Sequence, residues 1–314
     1  MNKIAGGIYP TMITPYTEDG RVDYDAAERI VNWYVQRGCD GIFAVCQSSE
    51  MFNLSLKERV QLAKTVSDAG KGRIDVIASG HISDDPEAQI DELGAISETG
   101  VKAVVMVTNR MAKADEDDSV WMRNTETLMN ALPGVTFGLY ECPAPYKRLM
   151  NAELLNWCVR SRRFAFMKDT CCNAPEIAKR IAAIQKAADE SGCEPMGLYN
   201  ANSMTLLESL RAGAAGFSGV MANLHPELYV WLYKNWREQP EKAEQLQGAI
   251  TLLSSLEDRG YPICAKKHMQ DIGVNMTLVT RSRPQKDFGY AAQETLHQAE
   301  QVESLLRTLY DIEI

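Results

Sequence analysis

Lys168 ends a short apolar run, FAFMK (164–168), where a buried strand would meet a loop. Desolvation disfavours the ammonium form, so a lysine shielded from water there has a lowered pKa. A neutral lysine amine attacks carbonyl carbon and forms a Schiff base with a ketone. The alternative is that Lys168 only marks the strand end, with its stem packed and its ammonium group in water. The rest of the chain has to distinguish these interpretations.

Other polar groups follow apolar runs in the same way. Tyr140 ends VTFGLY (135–140), and Ser48 and Ser49 lie in the loop CQSSE (46–50). A tyrosine can carry protons in dehydration and aldol steps, and free backbone N–H groups in such a loop can bind a carboxylate. The structural alternatives are a tyrosine at the rim of the core and a serine turn. Catalysis is favoured only if the fold brings these groups to one face.

The elements that must position these groups alternate between short β-prone runs and longer amphipathic segments. Alternation of this kind predicts a parallel sheet, and eight units of this size suit an α/β fold of the (β/α)8 TIM-barrel type. An open doubly wound sheet is the alternative, but its nucleotide-binding fingerprint is missing. The predicted strands are 7–13, 39–45, 74–79, 101–107, 135–140, 164–168, 195–199 and 214–219.

Helix signals between the strands support this plan. The segment 55–70 has Ser55 as a predicted N-cap with Glu58 three residues later, which is a capping box. Apolar residues recur at helical spacing in 23–38, which closes at Gly38, and Pro86 suits the first turn of a helix over 86–100. After residue 225 the strand signal stops and only helical patterns follow. We therefore predict a barrel over residues 1–225 and a C-terminal helical extension over 226–314.

Barrel active sites lie at the C-terminal ends of the strands. Ser48, Tyr140 and Lys168 each follow or end a predicted strand, and the strands of Tyr140 and Lys168 are neighbours. A Schiff base on Lys168 would serve as an electron sink, so that a carbon–carbon bond beyond it can break or form. This chemistry requires neither a metal nor a cofactor, and we predict none.

Composition excludes several other classes of protein. The 314 residues include 45% hydrophobic and 24% charged residues, and the net charge of -9 argues against nucleic acid or anionic membrane as a partner. No apolar run has membrane-spanning length, and the N-terminal segment lacks a signal-peptide core. We therefore expect a cytoplasmic protein whose eight cysteines are reduced. Four scattered histidines and the absence of Walker A and GxGxxG motifs argue against metal and nucleotide sites.

Motifs across nearly the whole chain resemble those of the dihydrodipicolinate synthase / N-acetylneuraminate lyase family of pyruvate-dependent class I aldolases. CQSSE stands where the family carries GTTGE or GSTGE, YECP where it carries Y-N-x-P, and MKDT where it carries its Schiff-base segment. The segments that carry the resemblance are PTMITPY (10–16), DGRVD (19–23), CQSSE (46–50), YECP (140–143), MKDT (167–170), GAAGFSGVMAN (213–223) and YPICAKKHMQDIG (261–273).

The resemblance implies a TIM barrel with a helical C-terminal extension, usually assembled as a homotetramer. It implies that Lys168 is the Schiff-base lysine, Tyr140 the proton shuttle and Ser48 the hydroxyl relay. Matched position by position, the residues that would bind substrate are Gln47, Ser48, Ser49, Gly219, Asn202 and Ser203.

At several positions the residues differ from those of dihydrodipicolinate synthases and N-acetylneuraminate lyases. The loop has Cys46 and Ser49 in place of glycines, and Pro145 stands where the synthases carry an arginine, with Lys147 and Arg148 following. The partner-derived tyrosine segment of the synthases is replaced by VTNRMAK (107–113). The aspartate and glutamate with which sialic acid lyases hold sugar hydroxyls have no counterpart in 201–204. Neither lysine biosynthesis nor sialic acid cleavage is therefore expected.

The resulting prediction is a Schiff-base lyase or aldolase that makes or breaks a carbon–carbon bond of a 2-oxo acid, with pyruvate as one partner. Arg110, Lys147 and Arg148 are candidates to meet a second carboxylate, or are simply exposed loop cations. Two alternatives stay open. One is a Schiff-base dehydratase of a 2-oxo sugar acid, and the other is a catalytically silent binding or regulatory barrel.

Overall fold

Eight parallel strands form the centre of the protein in a computed structural model that describes residues 2–313. Strands β2 to β8 pair consecutively and β1 pairs with β8. A parallel bridge between Thr11 and Phe43 joins the extension of β1 to β2 and closes the barrel. The predicted (β/α)8 barrel is confirmed, and the open-sheet alternative is wrong. The strands are β1 Gly7–Ile8, β2 Gly41–Ala44, β3 Asp75–Ala78, β4 Ala103–Val107, β5 Phe137–Tyr140, β6 Phe164–Asp169, β7 Gly197–Asn200 and β8 Gly216–Phe217.

Helices alternate with the strands, as the periodicity predicts. Ser55 and Glu58 form the expected capping box at the start of the second helix, and Pro86 occupies the first turn of the third. The helices within the described residues are α1 Tyr24–Gln36, α2 Leu56–Gly70, α3 Pro86–Ser97, α4 Asp118–Ala131, α5 Ala152–Ser161, α6 Ala174–Ser191, α7 Leu206–Arg211, α8 Pro226–Asn235, α9 Pro240–Leu253, α10 Ile263–Asp271 and α11 Tyr290–Leu309.

The C-terminal helices hold one loop of the barrel in place. Glu50, in the loop after β2, accepts hydrogen bonds from the backbone N–H groups of Arg281 (2.7 Å) and Ser282 (2.6 Å). Its other oxygen lies 3.6 Å from the buried amine of Lys266 on α10. The extension therefore positions the loop that carries Ser48. The predicted division at residue 225 falls just before α8, which contacts β1, and this division stays a prediction.

None of the helices described combines the length and the apolar character that crossing a membrane requires.

Candidate active site

Lys168 lies inside the barrel with its amine directed into a cavity of about 510 Å³. Only 4% of the residue is exposed. Its Nζ atom is 4.7 Å from the ring centroid of Tyr140 and 5.5 Å from that of Phe43. Burial lowers the pKa of Lys168 to about 8. At pH 7 about a tenth of such amines are neutral, far more than at the ordinary lysine pKa of about 10.4.

The amine of Lys168 contacts aromatic rings but has no hydrogen-bond or ion-pair partner in the described part of the chain. Within residues 2–313, no hydrogen-bond acceptor and no carboxylate lies within bonding distance of Nζ. A buried lysine is ordinarily paired, so this amine is available to a ligand. The alternative, in which the ammonium group of Lys168 extends into water, is therefore wrong.

Tyr140 stands beside Lys168 because the register of β5 and β6 pairs the two residues. Its hydroxyl lies 3.4 Å from the side-chain oxygen of Gln47, which also accepts a weak contact from the thiol of Cys142 at 3.6 Å. Burial raises the pKa of Tyr140 well above its usual value. Tyr140 is therefore a neutral proton donor, held by an amide that cannot itself exchange protons at neutral pH.

Ser48 belongs to a cluster of hydroxyl groups that was not predicted from the sequence. Its hydroxyl lies 3.1 Å from that of Thr11 and adjoins the phenol of Tyr261. Burial raises the pKa of that phenol well above its usual value, and the Ser48 hydroxyl opposes the shift. Tyr261 lines the cavity and accepts a hydrogen bond from the Asn223 side chain at 3.1 Å. Because Asn223 supplies that donor, the proton of Tyr261 is free to point toward Ser48 or the cavity.

The remaining predicted site residues divide into two groups. Gln47, Gly219 and Asn202 line the cavity. A side chain at Gly219 would place its Cβ 2.5 Å from the carbonyl oxygen of Ala201, so only glycine fits there. Ser49 and Ser203 do not line the cavity.

Ser49 and Ser203 make contacts within the protein instead. Ser49 donates to the carbonyl of Met12 at 2.6 Å and accepts from the N–H of Cys46 at 3.0 Å. Ser203 bonds the hydroxyl of Tyr229 at 2.8 Å. These contacts hold loops, and the substrate-binding roles of both serines stay predictions.

Of the three candidate cations, Lys147 alone lines the cavity. Arg110 pairs with Asp84 at 2.8 Å, and Arg148 pairs with Asp118 at 2.8 Å. The chain also brings to the cavity four charged residues that the sequence did not single out: Glu50, Glu257, Asp258 and Arg283. Of these, Glu50 is already bound by the C-terminal segment.

A buried ion cluster lies behind the two strands of the site. Side chains alternate along a strand, so Tyr140 and Lys168 face inward while Glu141 and Asp169 face outward toward α6. There Arg180 bonds Glu141 at 2.9 Å and also pairs with Asp169. Glu141 accepts the backbone N–H of Thr170 at 2.9 Å as well. The cluster therefore fixes β5 against β6 and with them the spacing of Tyr140 and Lys168.

This cluster predicts a pH dependence of stability. Burial, and then the charge of Asp169, raise the pKa of Glu141 to about 7. A carboxyl group with a raised native pKa binds protons more tightly in the folded state, so its contribution to stability is largest below its unfolded pKa of about 4.3 and is lost as pH rises to about 7. We expect the free energy of unfolding of the wild type to fall by roughly 1–3 kcal/mol across this window.

Glu141→Gln tests this assignment, because an amide does not titrate. Urea unfolding between pH 5 and 8 should show a flatter pH profile for the variant than for the wild type. Glu238→Gln, at an exposed position, should keep the wild-type slope. Equal slopes for Glu141→Gln and wild type would assign the dependence to other groups.

No three His, Cys, Asp or Glu side chains of residues 2–313 are grouped closely enough to hold a metal ion. The cavity is lined by the amine of Lys168, phenols, hydroxyls, the amides of Gln47 and Asn202, the thiol of Cys172 and charged side chains.

Comparison with known proteins identifies the family to which this chain belongs. Residues 4–301 match the model of the dihydrodipicolinate synthetase family. The chain is similar to a 4-hydroxy-tetrahydrodipicolinate synthase from Saccharophagus degradans (27% identical over 222 residues, 71% of this chain and 72% of the relative). It is also similar to one from Neisseria gonorrhoeae (25% identical over 258 residues, 82% and 81%).

Solved structures share the fold. A prophage protein of the dihydrodipicolinic acid synthase family from E. coli K12, solved in complex with pyruvate, superposes with a TM-score of 0.84 at 18% identity, covering 96% of this chain and 99% of that one. A dihydrodipicolinate synthase from Acinetobacter baumannii, also complexed with pyruvate, gives 0.83 at 21% identity, with 96% and 99% covered. The match to the family model extends over the barrel and most of the C-terminal helices, and this chain is a divergent member of the dihydrodipicolinate synthetase family.

Proposed function

We propose that the protein is a class I lyase or aldolase that forms a Schiff base between Lys168 and pyruvate, and makes or cleaves the carbon–carbon bond of a larger 2-oxo acid. The observation that supports this most directly concerns Lys168, which is 4% exposed and has a lowered pKa. Its amine opens into a cavity of about 510 Å³ and has no hydrogen-bond or ion-pair partner among residues 2–313. Desolvation of this kind activates a lysine as a nucleophile.

The proposed reaction starts with attack of neutral Lys168 Nζ on the keto carbon of pyruvate. The keto oxygen takes a proton and the carbinolamine forms. Loss of that hydroxyl as water, after protonation, leaves the iminium. Tyr140, beside the amine, is the proposed proton donor for this dehydration.

In the second stage the methyl group of the pyruvyl iminium loses a proton and the resulting enamine attacks an aldehyde carbon. A carbon–carbon bond forms, the aldehyde oxygen gains a proton, and the iminium is regenerated for hydrolysis by water. Cleavage is the reverse of these steps. The pair Tyr261 and Ser48 is the proposed proton carrier here, since its phenol and hydroxyl can both donate and accept.

Binding roles complete the proposal. Gln47, Ser48 and Gly219 line the cavity at the loops after β2 and β8, where their backbone groups suit the pyruvate carboxylate. Asn202, which also lines the cavity, is proposed to bind the rest of the substrate. A homotetramer and a cytoplasmic location, as expected from the resemblance and the composition, stay predictions.

The first experiment is covalent trapping. Incubation with pyruvate followed by borohydride should add one reduced pyruvyl group per chain, and peptide mapping should find it on Lys168. Reduction without pyruvate is the control. An adduct elsewhere, or none at all, would contradict the proposal and favour the silent barrel.

The dehydratase alternative forms the same kind of adduct with its own substrate and needs a different measurement. An aldolase consumes pyruvate only when an aldehyde is present and yields a longer 2-oxo acid. A dehydratase releases water from a sugar acid without breaking its carbon chain. Product analysis by mass spectrometry separates the two.

A further inference from the structure

We propose that Glu257, Asp258, Lys147 and Arg283 form the binding site for the aldehyde partner, and that this aldehyde carries hydroxyl groups and a terminal anionic group. The inference rests on the proposed function, because it concerns the second substrate of the same cavity. We call these four residues the charged rim. All four line the cavity that contains Lys168, and all four are exposed, so they lie at its mouth.

The charged rim is assembled from separate parts of the chain. Glu257 and Asp258 belong to the 3-10 segment Ser254–Asp258 after α9. Lys147 comes from the loop after β5, and Arg283 from the segment between α10 and α11. The C-terminal extension therefore supplies three of the four charges, which the barrel strands alone do not provide.

The four side chains of the charged rim form no ion pair among residues 2–313. In the described part of the chain, Glu257, Asp258 and Arg283 make no side-chain hydrogen bond and no ion pair, and Lys147 donates only to the carbonyl of Thr170, at 2.8 Å. The neighbouring Arg281, by contrast, pairs with Glu58 at 2.7 Å. Groups of opposite charge thus border one cavity and stay more than 4 Å apart, which leaves both available to a ligand.

A feature outside the rim indicates that a ligand enters here. The side chain of Lys168 is buried, opens into the same cavity and has no hydrogen-bond or ion-pair partner among the described residues. Glu257 lines the same cavity as that amine. Burial, and then the charge of Asp258, raise the pKa of Glu257, and the positive charge of Lys168 opposes this shift. The carboxyl group of Glu257 and the amine of Lys168 therefore interact electrostatically.

The size of the cavity supports a second substrate. A volume of about 510 Å³ falls within the range of about 300–1,000 Å³ that is typical of pockets for drug-sized ligands. Pyruvate has only three carbon atoms. Space therefore remains between Lys168 and the charged rim for an aldehyde of several carbons.

The chemistry of the rim defines the class of that aldehyde. Ionised carboxylates only accept hydrogen bonds, so Glu257 and Asp258 require donors such as hydroxyl groups. Lysine and arginine bind carboxylate or phosphate. A plain alkyl aldehyde would satisfy neither set. A hydroxylated aldehyde with a carboxylate or phosphate end satisfies both, and its aldol product with pyruvate is a 2-oxo sugar acid with a second anionic group.

A matched panel of aldehydes tests the inference. The full-length protein is assayed for aldehyde-dependent consumption of pyruvate with propanal, glyceraldehyde, glyceraldehyde 3-phosphate and 3-aminopropanal. We expect kcat/KM to rise by about tenfold or more from propanal to glyceraldehyde, and again with the phosphate, since each step adds hydrogen bonds to charged groups. Glyceraldehyde 3-phosphate stands for either anionic end.

Two variants assign the preferences to their residues. The double variant Glu257→Gln, Asp258→Asn should remove the advantage of glyceraldehyde over propanal. Arg283→Gln should remove the advantage of the phosphate and leave that of the hydroxyl groups. Glu238→Gln, exposed and outside the cavity, is the matched control and should keep both preferences.

Trapping with pyruvate and borohydride separates failure of this inference from failure of the proposed function. If the wild type forms the adduct on Lys168 but uses propanal as well as glyceraldehyde, or uses no aldehyde of the panel, the inference is wrong and the Schiff-base proposal stands. A preference for 3-aminopropanal that depends on Glu257 and Asp258 would also overturn it, in favour of a cationic substrate. If no adduct forms, the proposed function fails and the inference with it.

Discussion

Lys168→Arg is expected to abolish turnover, lowering the rate of pyruvate-dependent aldol reaction by at least about 10⁴-fold, as removal of a covalent nucleophile does in other enzymes. Arginine keeps the positive charge and a similar length, but its guanidinium stays protonated and does not form a Schiff base. Borohydride trapping should likewise find no adduct. Lys57→Arg, at an exposed position, is the matched control and should retain full activity.

A second variant distinguishes loss of the nucleophile from loss of the fold. A permanent charge in place of an amine with a lowered pKa is costly to bury, so Lys168→Arg is expected to be less stable than the wild type. Lys168→Met removes the charge at similar size and should be at least as stable as wild type in urea unfolding, yet equally inactive. Appreciable activity in a folded Lys168→Met protein would sink both the aldolase and the dehydratase proposals.

Tyr261→Phe is expected to slow the carbon–carbon step by about 10²–10³-fold, the usual contribution of a positioned proton carrier, while the pyruvate adduct still forms. The reason is the hydrogen-bond network of its hydroxyl. Asn223 donates to it at 3.1 Å, Ser48 adjoins it, and the hydroxyl of Ser48 lies 3.1 Å from that of Thr11. The measurements are the steady-state rate of pyruvate consumption and the yield of trapped adduct.

The comparison with two other tyrosines makes this prediction specific. Tyr140→Phe should slow adduct formation itself, because that phenol stands against the amine of Lys168. Tyr290→Phe, 78% exposed on α11, should change neither step. An aldol rate within twofold of wild type for Tyr261→Phe would show that its hydroxyl has only a structural role.

The sequence by itself determined the features that depend on local pattern. Hydrophobic periodicity indicated where β5 and β6 run, and the polar residue at the end of each apolar run indicated which side chains would reach the mouth of the barrel. Tyr140 and Lys168 were found in this way, and the register of the two strands then placed them side by side. Their motifs also indicated the family.

Side-chain direction in the loops was not predictable in the same way. Ser48 and Ser49 are adjacent and chemically identical, yet Ser48 lines the cavity and Ser49 turns back to the carbonyl of Met12. Backbone torsion angles in a loop decide this, and residue type does not encode them. Ser203 likewise bonds Tyr229 rather than lining the cavity.

Only the tertiary structure decided which residues far apart in the sequence come into contact. Tyr261 adjoins Ser48, and Glu257 lines the cavity of Lys168, because the C-terminal extension folds back over the barrel and is bound to the loop after β2 through Glu50. Local periodicity carries no information about which distant segments will pack together. The buried lysine could therefore be predicted from sequence, whereas the charges and the phenol of Tyr261 that we propose to act on its substrate became visible only once the chain was folded.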